Sequence, residues 1–308
     1  MGLSAVFSSF LSMAGIGTAP DPFEYAIIMS ARMPRTLLAV LAGVGLSVSG
    51  AALQGCFRNP LVGPQTIGVL AGAGFGGSLM LFLAQGPFWV TIGAFVGGLG
   101  STIFVVWLAG RIGQSSVLML VLAGIITGAL FAALTTMLQY LADSERQLPQ
   151  LVFWLMGSFS RVNFIDLRLV IVPILAGSFI LYCFALHLNV LSCGEEEARA
   201  LGIPVERDRI TIICVVAAIC ASIVAVAGII GWVGLVVPHI ARMIVGPDHR
   251  KLLPASACIG AIFVVVVDTL CRSLTAAELP IGAITAIAGA PLFIIILAKT
   301  HVCGWRTD

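Results

Sequence analysis

The chain alternates long apolar stretches with short polar segments, and its charged residues gather in the polar segments. No charged residue occurs in 36–57, 59–110, 112–142, 169–194, 210–241, 252–267 or 279–298. An α-helix needs about 20 mostly apolar residues to cross a bilayer. The stretches therefore predict membrane-spanning helices, and the two longest, 59–110 and 210–241, each have room for two.

Proline and glycine mark the places where the two longest stretches divide. Pro60, Pro64 and Pro87 interrupt the first stretch, and glycines that end at Gly234, shortly before Pro238, interrupt the second. Residues of these types commonly end helices. We therefore predict nine spanning helices, at 36–57, 66–84, 88–109, 117–142, 168–187, 209–227, 231–245, 252–272 and 281–299.

The N-terminal segment predicts one further, incomplete helix. Residues 3–17 are apolar but short for a span, and neither a basic segment nor a cleavage site of small residues flanks them. That argues against a signal peptide, so we expect a short or truncated first helix within 1–19. The expected fold class is all-α: a polytopic membrane protein with nine or ten transmembrane helices in a single domain, 1–308.

Glycines recur at helical spacing in two of the predicted helices. Gly68, Gly72 and Gly76 are each four residues apart, and so are Gly93 and Gly97. Small residues at this spacing let helix backbones approach closely in lipid, where no hydrophobic force drives association. The pattern predicts tight packing among several helices.

Composition agrees with a membrane protein and excludes other classes. The 308 residues include only 16 Lys and Arg and 14 Asp and Glu, and 59% are hydrophobic. A soluble domain is about a quarter charged, so a soluble enzyme, a disordered tail and a nucleic-acid-binding protein are not expected. A P-loop requires Gly-Lys-Ser/Thr, and neither Lys251 nor Lys299 follows a glycine. We therefore expect no ATP hydrolysis by this chain through a P-loop.

Ionisable residues inside the apolar stretches are few. Asp268 is the one carboxylate deep in such a stretch, and Arg272 follows four residues later on the same helix face. We favour a local ion pair between them, or a role in helix packing, over a transport role. An ion-coupled secondary transporter would need more buried acids, and a membrane-embedded enzyme would need a catalytic cluster. No Cys-x-x-Cys or His-x-x-x-His pair occurs, so no metal site is expected.

The distribution of cations predicts which side of the membrane each loop faces. If the C-terminus is inside, the inner loops hold ten Lys and Arg and the outer side six, as the positive-inside rule requires. The inner set is Arg58, Arg111, Arg199, Arg207, Arg209, Arg242, Arg250, Lys251, Lys299 and Arg306. The outer set is Arg32, Arg35, Arg146, Arg161, Arg168 and Arg272, of which Arg32, Arg35 and Arg272 lie at span ends and could snorkel.

The largest polar insertion, 188–209, lies on the predicted inner side. Three acidic residues, Glu195 to Glu197, are followed by alternating apolar positions, then by Gly202 and Pro204. Acids in a first helical turn complement the helix dipole, and glycine is a common helix stop. The insertion therefore predicts a short cytoplasmic helix suited to contact with a soluble partner.

Nine sequence blocks together resemble the FecCD family of ABC-transporter permeases, which import ferric siderophores, haem and cobalamin. They include Arg-Asn-Pro-Leu-Val-Gly-Pro at 58–64, Gly-Glu-Glu-Glu-Ala-Arg-Ala-Leu-Gly-Ile-Pro at 194–204 and Gly-Trp-Val-Gly-Leu-Val-Val-Pro-His-Ile-Ala-Arg at 231–242. The other blocks, in the family's order across nearly the whole chain, are 32–36, 49–55, 153–158, 246–250, 278–282 and 289–293.

The resemblance implies the fold and the partners of a type II ABC importer permease. It implies a ten-helix subunit that works as a homodimer in a bacterial or archaeal inner membrane. Two ATPase subunits would attach inside, and a substrate-binding protein would dock outside. ATP and magnesium would be bound by the ATPase partner, so no cofactor is expected in this chain. A ferric siderophore is the first cargo expected; haem and cobalamin follow, and oxyanions stay open.

The resemblance also implies roles for particular residues. The coupling helix that enters the ATPase would comprise Gly194, Glu195, Glu196, Glu197, Ala198, Arg199, Leu201 and Gly202. Arg32, Arg35 and Arg272 would meet glutamates of the binding protein. Gln114, Ser115 and Ser116 fall where the family places an inner gate. Our candidates for the cavity and the gate are Gly72 and Gly74, in the glycine-rich segment 65–78, together with the start of the span 117–142.

Overall fold

The computed structural model describes residues 22–112, 117–275 and 278–302, and it contains helices and no strands in these ranges. The helices are α1 (Pro22–Ile27), α2 (Met33–Phe57), α3 (Val69–Phe82), α4 (Pro87–Ile112), α5 (Val117–Leu141), α6 (Gln147–Leu155), α7 (Phe164–Cys183), α8 (Ala185–Cys193), α9 (Glu195–Ala200), α10 (Val205–Ala227), α11 (Val233–Val245), α12 (His249–Ser273) and α13 (Ile281–Val302). A π-helical turn, Ile28–Arg32, joins α1 to α2, and a 3-10 turn, Pro64–Ile67, precedes α3.

Each of the nine predicted spans coincides with an apolar helix in the described part of the chain. Six helices are long and apolar enough to cross a membrane, and three shorter apolar helices complete the set. The all-α polytopic fold is therefore confirmed. The helix predicted within 1–19 lies outside the described residues.

Two of the predicted spans are shorter than expected. The helix predicted at 66–84 is Val69–Phe82, 14 residues, and the one predicted at 231–245 is Val233–Val245, 13 residues. At about 1.5 Å per residue, helices of this length extend only about 20 Å, less than the roughly 30 Å hydrocarbon core. Their starts are delayed because Gly68 has φ 75° and Trp232 has φ 68°, both outside the helical region.

The first described span is longer than predicted. It runs without interruption as Tyr25–Phe57, 33 residues, because the π-helical turn continues α1 into α2. The sequence prediction began this helix at 36, so it placed Arg32 and Arg35 just before the span. The structure places both residues within the continuous helix.

Close helix contacts at glycine confirm the packing that the sequence pattern predicted. A Cβ atom added at Gly76 would collide with the carbonyl of Gly93, and one added at Gly97 would collide with the carbonyl of Gly72. The backbones of α3 and α4 therefore touch where these glycines face each other. Gly50 makes a similar contact with Gly234, which joins α2 to α11.

The helices differ in how much of their surface the chain itself covers. In the most apolar window of Tyr25–Phe57, 78% of residues are buried, whereas in that of Val117–Leu141 only 22% are. Side chains of α5 such as Leu122, Ile126 and Leu130 are exposed. The helix Tyr25–Phe57 is thus central, and the rest of the described chain leaves most of α5 uncovered.

Candidate functional site

The polar insertion folds into the short helix that the sequence predicts. α9 lies between α8 and α10, with Glu195, Glu196 and Glu197 in its first turn. Gly194 separates α8 from α9 with φ 159° and ψ 155°, a backbone conformation that favours glycine. A side chain at this position would also collide with the carboxylate of Glu197. The turn between the two helices therefore favours glycine at this position, although the exposed Glu197 side chain could move aside.

α9 ends at the predicted glycine. The N–H of Gly202 donates to the carbonyl of Arg199 at 2.9 Å, and the N–H of Ile203 donates to the carbonyl of Ala198 at 3.0 Å. Gly202 has φ 79°, so the pair of hydrogen bonds forms a Schellman motif. This motif satisfies terminal carbonyls of a helix that has only six residues.

Ion pairs hold α9 against α10. The carboxylate of Glu195 accepts a charge-assisted hydrogen bond from the guanidinium of Arg209, whose side chain is only 2% exposed. Arg199 lies 3.4 Å from Glu195 and 3.0 Å from Glu206. Exposed pairs of this kind contribute little, whereas removing the partner of a buried arginine leaves an uncompensated charge. The Glu195–Arg209 pair is therefore the main electrostatic anchor of α9.

The side chains of α9 divide into a buried anchor and an exposed surface. Ala198 is fully buried, whereas the side chain of Leu201, directly after the helix, is 70% exposed. Glu196 and Glu197 are also exposed. Of the predicted coupling residues, Ala198 can therefore act only by fixing the helix, and Leu201 is the apolar side chain available to a partner.

A second polar link beside α9 was not predicted. Nδ1 of His187 lies 2.6 Å from a carboxylate oxygen of Asp208, and Asp208 is buried. The two residues belong to α8 and α10, so this contact joins the helices on either side of α9. No local sequence signal indicates this contact, because the two residues are 21 positions apart in the chain. They come together only when α9 has folded between them.

A cavity of about 1090 Å³ opens beside the start of α9. Its walls come from the end of α2, the end of α8, α11 and the start of α12, and they include Arg58, Asn189, His239, Arg242 and Asp248. The two arginines were predicted to lie on the inner side of the membrane, and the structure places both around one cavity. The cavity itself was not predicted, because four separate segments build it.

Asp248 is fully satisfied at the rim of this cavity. Its carboxylate accepts hydrogen bonds from the backbone N–H of Arg250 at 3.0 Å and from the side-chain amide of Asn189 at 2.7 Å. It also pairs with the Arg250 guanidinium at 2.8 Å. These hydrogen bonds, chiefly the one from the Arg250 side chain, hold the pKa of Asp248 well below its usual range. The carboxylate therefore stays ionised and already has its partners.

The predicted outer arginines lie in different environments. Arg35 is buried and pairs with Asp268 and with Glu278, each at 2.8 Å. Arg272 lies 3.3 Å from Asp268, which confirms the local ion pair predicted from their spacing. Arg32 is exposed. The sequence prediction treated the three arginines alike and did not foresee that Glu278 and Asp268 occupy the guanidinium of Arg35.

The predicted gate and cavity residues are not brought together by the described structure. Gln114, Ser115 and Ser116 lie outside the described residues. Gly72 packs against α4, and a Cβ atom added at Gly74 would lie 3.0 Å from the side chain of Ile229. Both glycines are buried and neither lines the large cavity, so their role in the gate or the substrate cavity stays a prediction. Within the described residues, no group of three His, Cys, Asp or Glu side chains could hold a metal ion.

Comparison with known proteins assigns the chain to a family. A model described as the FecCD transport family matches residues 1–299. The chain belongs to the FecCD transport family. The family named from nine sequence blocks is thereby confirmed over nearly the whole chain.

Relatives of this FecCD chain are permeases of several import systems. The molybdate import system permease protein MolB of Haemophilus influenzae is 43% identical over 91% of this chain and 83% of that protein. The cobalamin import system permease protein BtuC of Halobacterium salinarum is 39% identical over 90% and 74%, respectively. The hemin transport system permease protein HmuU of Yersinia pestis is 37% identical over 92% and 86%.

Solved structures agree with the family. A metal-chelate type ABC transporter in an inward-facing conformation matches with a TM-score of 0.86 and 42% identity, over 96% of this chain and 97% of that one. PsaBC from Streptococcus pneumoniae matches with a TM-score of 0.58 at 21% identity, over 86% of this chain and 90% of that one, which shows the fold alone. This FecCD chain is therefore the permease subunit of an ABC importer and a multi-pass membrane protein.

Proposed function

We propose that two copies of this permease form the pathway of an importer that separate ATPase subunits drive from the cytoplasm. The observation that carries the proposal is α9. It is anchored by the buried Arg209 guanidinium, capped by Gly202, and leaves Leu201 70% exposed. A six-residue helix held this firmly, yet offering an apolar side chain to water, suits a joint that passes movement from one subunit to another.

The second copy is supported by the exposure of α5. Only 22% of the most apolar window of α5 is buried within one chain, so another subunit has room to pack along this helix. Gly128 lies on this helix, and a Cβ atom added there would meet nothing within 4 Å. Small residues on an uncovered face permit close approach of a second helix. The pathway would then lie on the axis between two copies.

We propose a metal chelate as the cargo, with a ferric siderophore as the first candidate. Support comes from the structural match at 42% identity, which is a metal-chelate type transporter. The 43% identity with a molybdate permease favours an oxyanion as the second candidate. Haem and cobalamin follow from the other relatives. Because the described helices carry few ionisable groups inside the membrane, cargo selection is expected to lie largely with the binding protein.

Reconstitution tests the proposed function. The purified permease alone should hydrolyse no ATP, and uptake into proteoliposomes should require the ATPase subunit, the binding protein and ATP together. The binding protein should be offered a ferric siderophore, haem, cobalamin and molybdate in parallel, with binding measured for each. ATP hydrolysis by the permease alone, or uptake without an ATPase subunit, would contradict the proposal.

The same uptake assay distinguishes ATP-driven import from ion-coupled transport. Asp268 is buried, and both Arg35 and Arg272 pair with it. Its charge is therefore already used within the chain, whereas an ion-coupled transporter places ionisable groups along the path of the ion. Uptake should therefore persist when a protonophore collapses the proton gradient, and it should stop when ATP is replaced by a non-hydrolysable analogue.

A further inference from the structure

Two arginines of the cavity beside α9 lack a carboxylate partner in the described structure. Arg58 lies at the C-terminal end of α2 and Arg242 in the last turn of α11, and both line the cavity. Among the described residues, the ion pairs involve other arginines. Asp248 is the one carboxylate among the lining residues, and Arg250 and Asn189 already satisfy it. The cavity therefore carries uncompensated positive charge.

The walls of the cavity are held in place by hydrogen bonds between helices. The amide of Gln54 in α2 donates to the carbonyl of Leu235 in α11 at 3.2 Å. The side-chain oxygen of Asn189 in α8 lies 2.8 Å from Nδ1 of His249 in α12. These contacts tie the four segments that line the cavity together in pairs. A site whose walls are fixed in this way loses little entropy when a partner binds.

The cavity continues directly into the coupling region. Asn189, Ser192 and Cys193 of α8 line it, and Gly194 then begins the turn into α9. A soluble partner that contacts α9 would therefore be adjacent to the cavity. Leu61 and Met243 at this mouth are 50% and 56% exposed, so the rim is partly apolar.

We propose that this cavity is a second socket for the ATPase subunit, which inserts an acidic side chain against Arg58 and Arg242 while it holds α9. The inference rests on the proposed function. Charge complementarity favours a carboxylate, and the apolar rim suits the residues that flank it. An anionic lipid headgroup would satisfy the arginines, but it would not account for the continuity of the cavity with α9. Two contacts on one partner would fix the angle at which the ATPase meets the membrane.

Charge reversal in the purified transporter tests the socket. Arg58→Glu and Arg242→Glu, singly and together, should be compared with Arg58→Lys and Arg242→Lys for binding of the purified ATPase subunit to permease in detergent. We expect the double reversal to weaken binding roughly tenfold or more, and the lysine variants to stay within about threefold of wild type because they keep the charge. Size-exclusion profiles establish that each variant folds.

Two further variants distinguish the socket from the proposed function itself. Leu201→Glu tests α9, and Arg168→Glu is a control at an exposed arginine on the predicted outer side. If Leu201→Glu weakens binding and the double reversal does not, the socket is wrong and the coupling helix stands. If neither changes binding, the docking of the ATPase on this face is wrong as well. An equal effect of Arg168→Glu would show that net charge alone matters and would overturn the socket.

A photo-crosslinker identifies what occupies the cavity. Arg58→p-benzoylphenylalanine in the assembled transporter should, on irradiation, join the permease to the ATPase subunit, and mass spectrometry should locate the adduct near an acidic residue. An adduct to phospholipid, or to a second copy of the permease, would overturn the proposal. The same substitution at Arg168 should give no ATPase adduct.

Discussion

At the scale of single residues, Asp268 connects α12 to α2. Its side chain is 3% exposed and lies 2.8 Å from the guanidinium of Arg35 and 3.3 Å from that of Arg272. Arg35 also pairs with Glu278, which is 39% exposed. The burial of Asp268 is therefore balanced by two cations, and Arg35 keeps one more acid near the surface.

Asp268→Asn should destabilise the permease strongly. Removing one partner of a buried ion pair typically costs about 3–5 kcal/mol, and we expect the lower end because Glu278 would still neutralise Arg35. The measurement is the Tm of the purified protein in detergent, compared with Glu145→Gln at an exposed position. Equal Tm values for the two variants would show that the network contributes nothing to stability.

This network also shows which residue contacts can be predicted from sequence. The pairing of Asp268 with Arg272 could be predicted because a separation of four places both side chains on one helix face. The pairing of Arg35 with Glu278 spans 243 residues, and no spacing rule encodes a contact between distant helices. The docking role predicted for Arg35 therefore did not account for Glu278, which pairs with the guanidinium of Arg35.

At the scale of elements, the contact between α3 and α4 depends on glycine. Gly76→Ala would push a methyl group into the carbonyl of Gly93, and overpacking of this kind typically costs about 1–3 kcal/mol. Gly100→Ala is the matched control in α4, because nothing lies within 4 Å of its Cβ position. We expect the Tm to fall for Gly76→Ala and to stay level or rise for Gly100→Ala. A similar change in both would contradict close packing at Gly76.

The proposed coupling element, α9, should be sensitive to one exposed side chain. Leu201→Glu should leave the fold intact, because the residue is 70% exposed, and yet uncouple ATP hydrolysis from uptake. Leu201→Met, which conserves volume and apolar character, is the control and should transport normally. Uptake and ATP hydrolysis are measured together in proteoliposomes. Normal uptake per ATP by Leu201→Glu would remove α9 from the coupling mechanism.

The elements themselves were largely predictable, and their ends were not. The apolar stretches located the nine apolar helices of the described residues, because a helix in lipid needs an uninterrupted hydrophobic run. The start of α7 at Phe164 rather than 168 follows from a capping box between Asn163 and Asp166, a local signal that the apolar pattern alone does not contain. The delayed starts at Val69 and Val233 coincide with positive φ angles at Gly68 and Trp232, which the apolar pattern does not encode.

At the scale of the whole molecule, charge is sorted between two faces with different degrees of internal pairing. On the predicted inner face, Arg209 anchors α9, whereas Arg58 and Arg242 line a cavity whose one acid, Asp248, is already paired. On the predicted outer face, Arg35 and Arg272 are largely used within the chain. The arginines without internal partners among the described residues are therefore the ones best placed to bind other subunits.

This distinction yields a prediction for docking of the binding protein outside. Arg32 is exposed, so Arg32→Glu should weaken binding of the binding protein about tenfold while leaving the Tm unchanged. Arg35→Glu should lower both quantities, because it places a third acid beside Asp268 and Glu278. Affinity is measured on permease in nanodiscs at two salt concentrations, since an exposed charge contact weakens with salt. If the Arg32→Glu permease binds the binding protein as tightly as wild type at both salt concentrations, Arg32 is not a docking residue. Its guanidinium would then interact only with lipid headgroups.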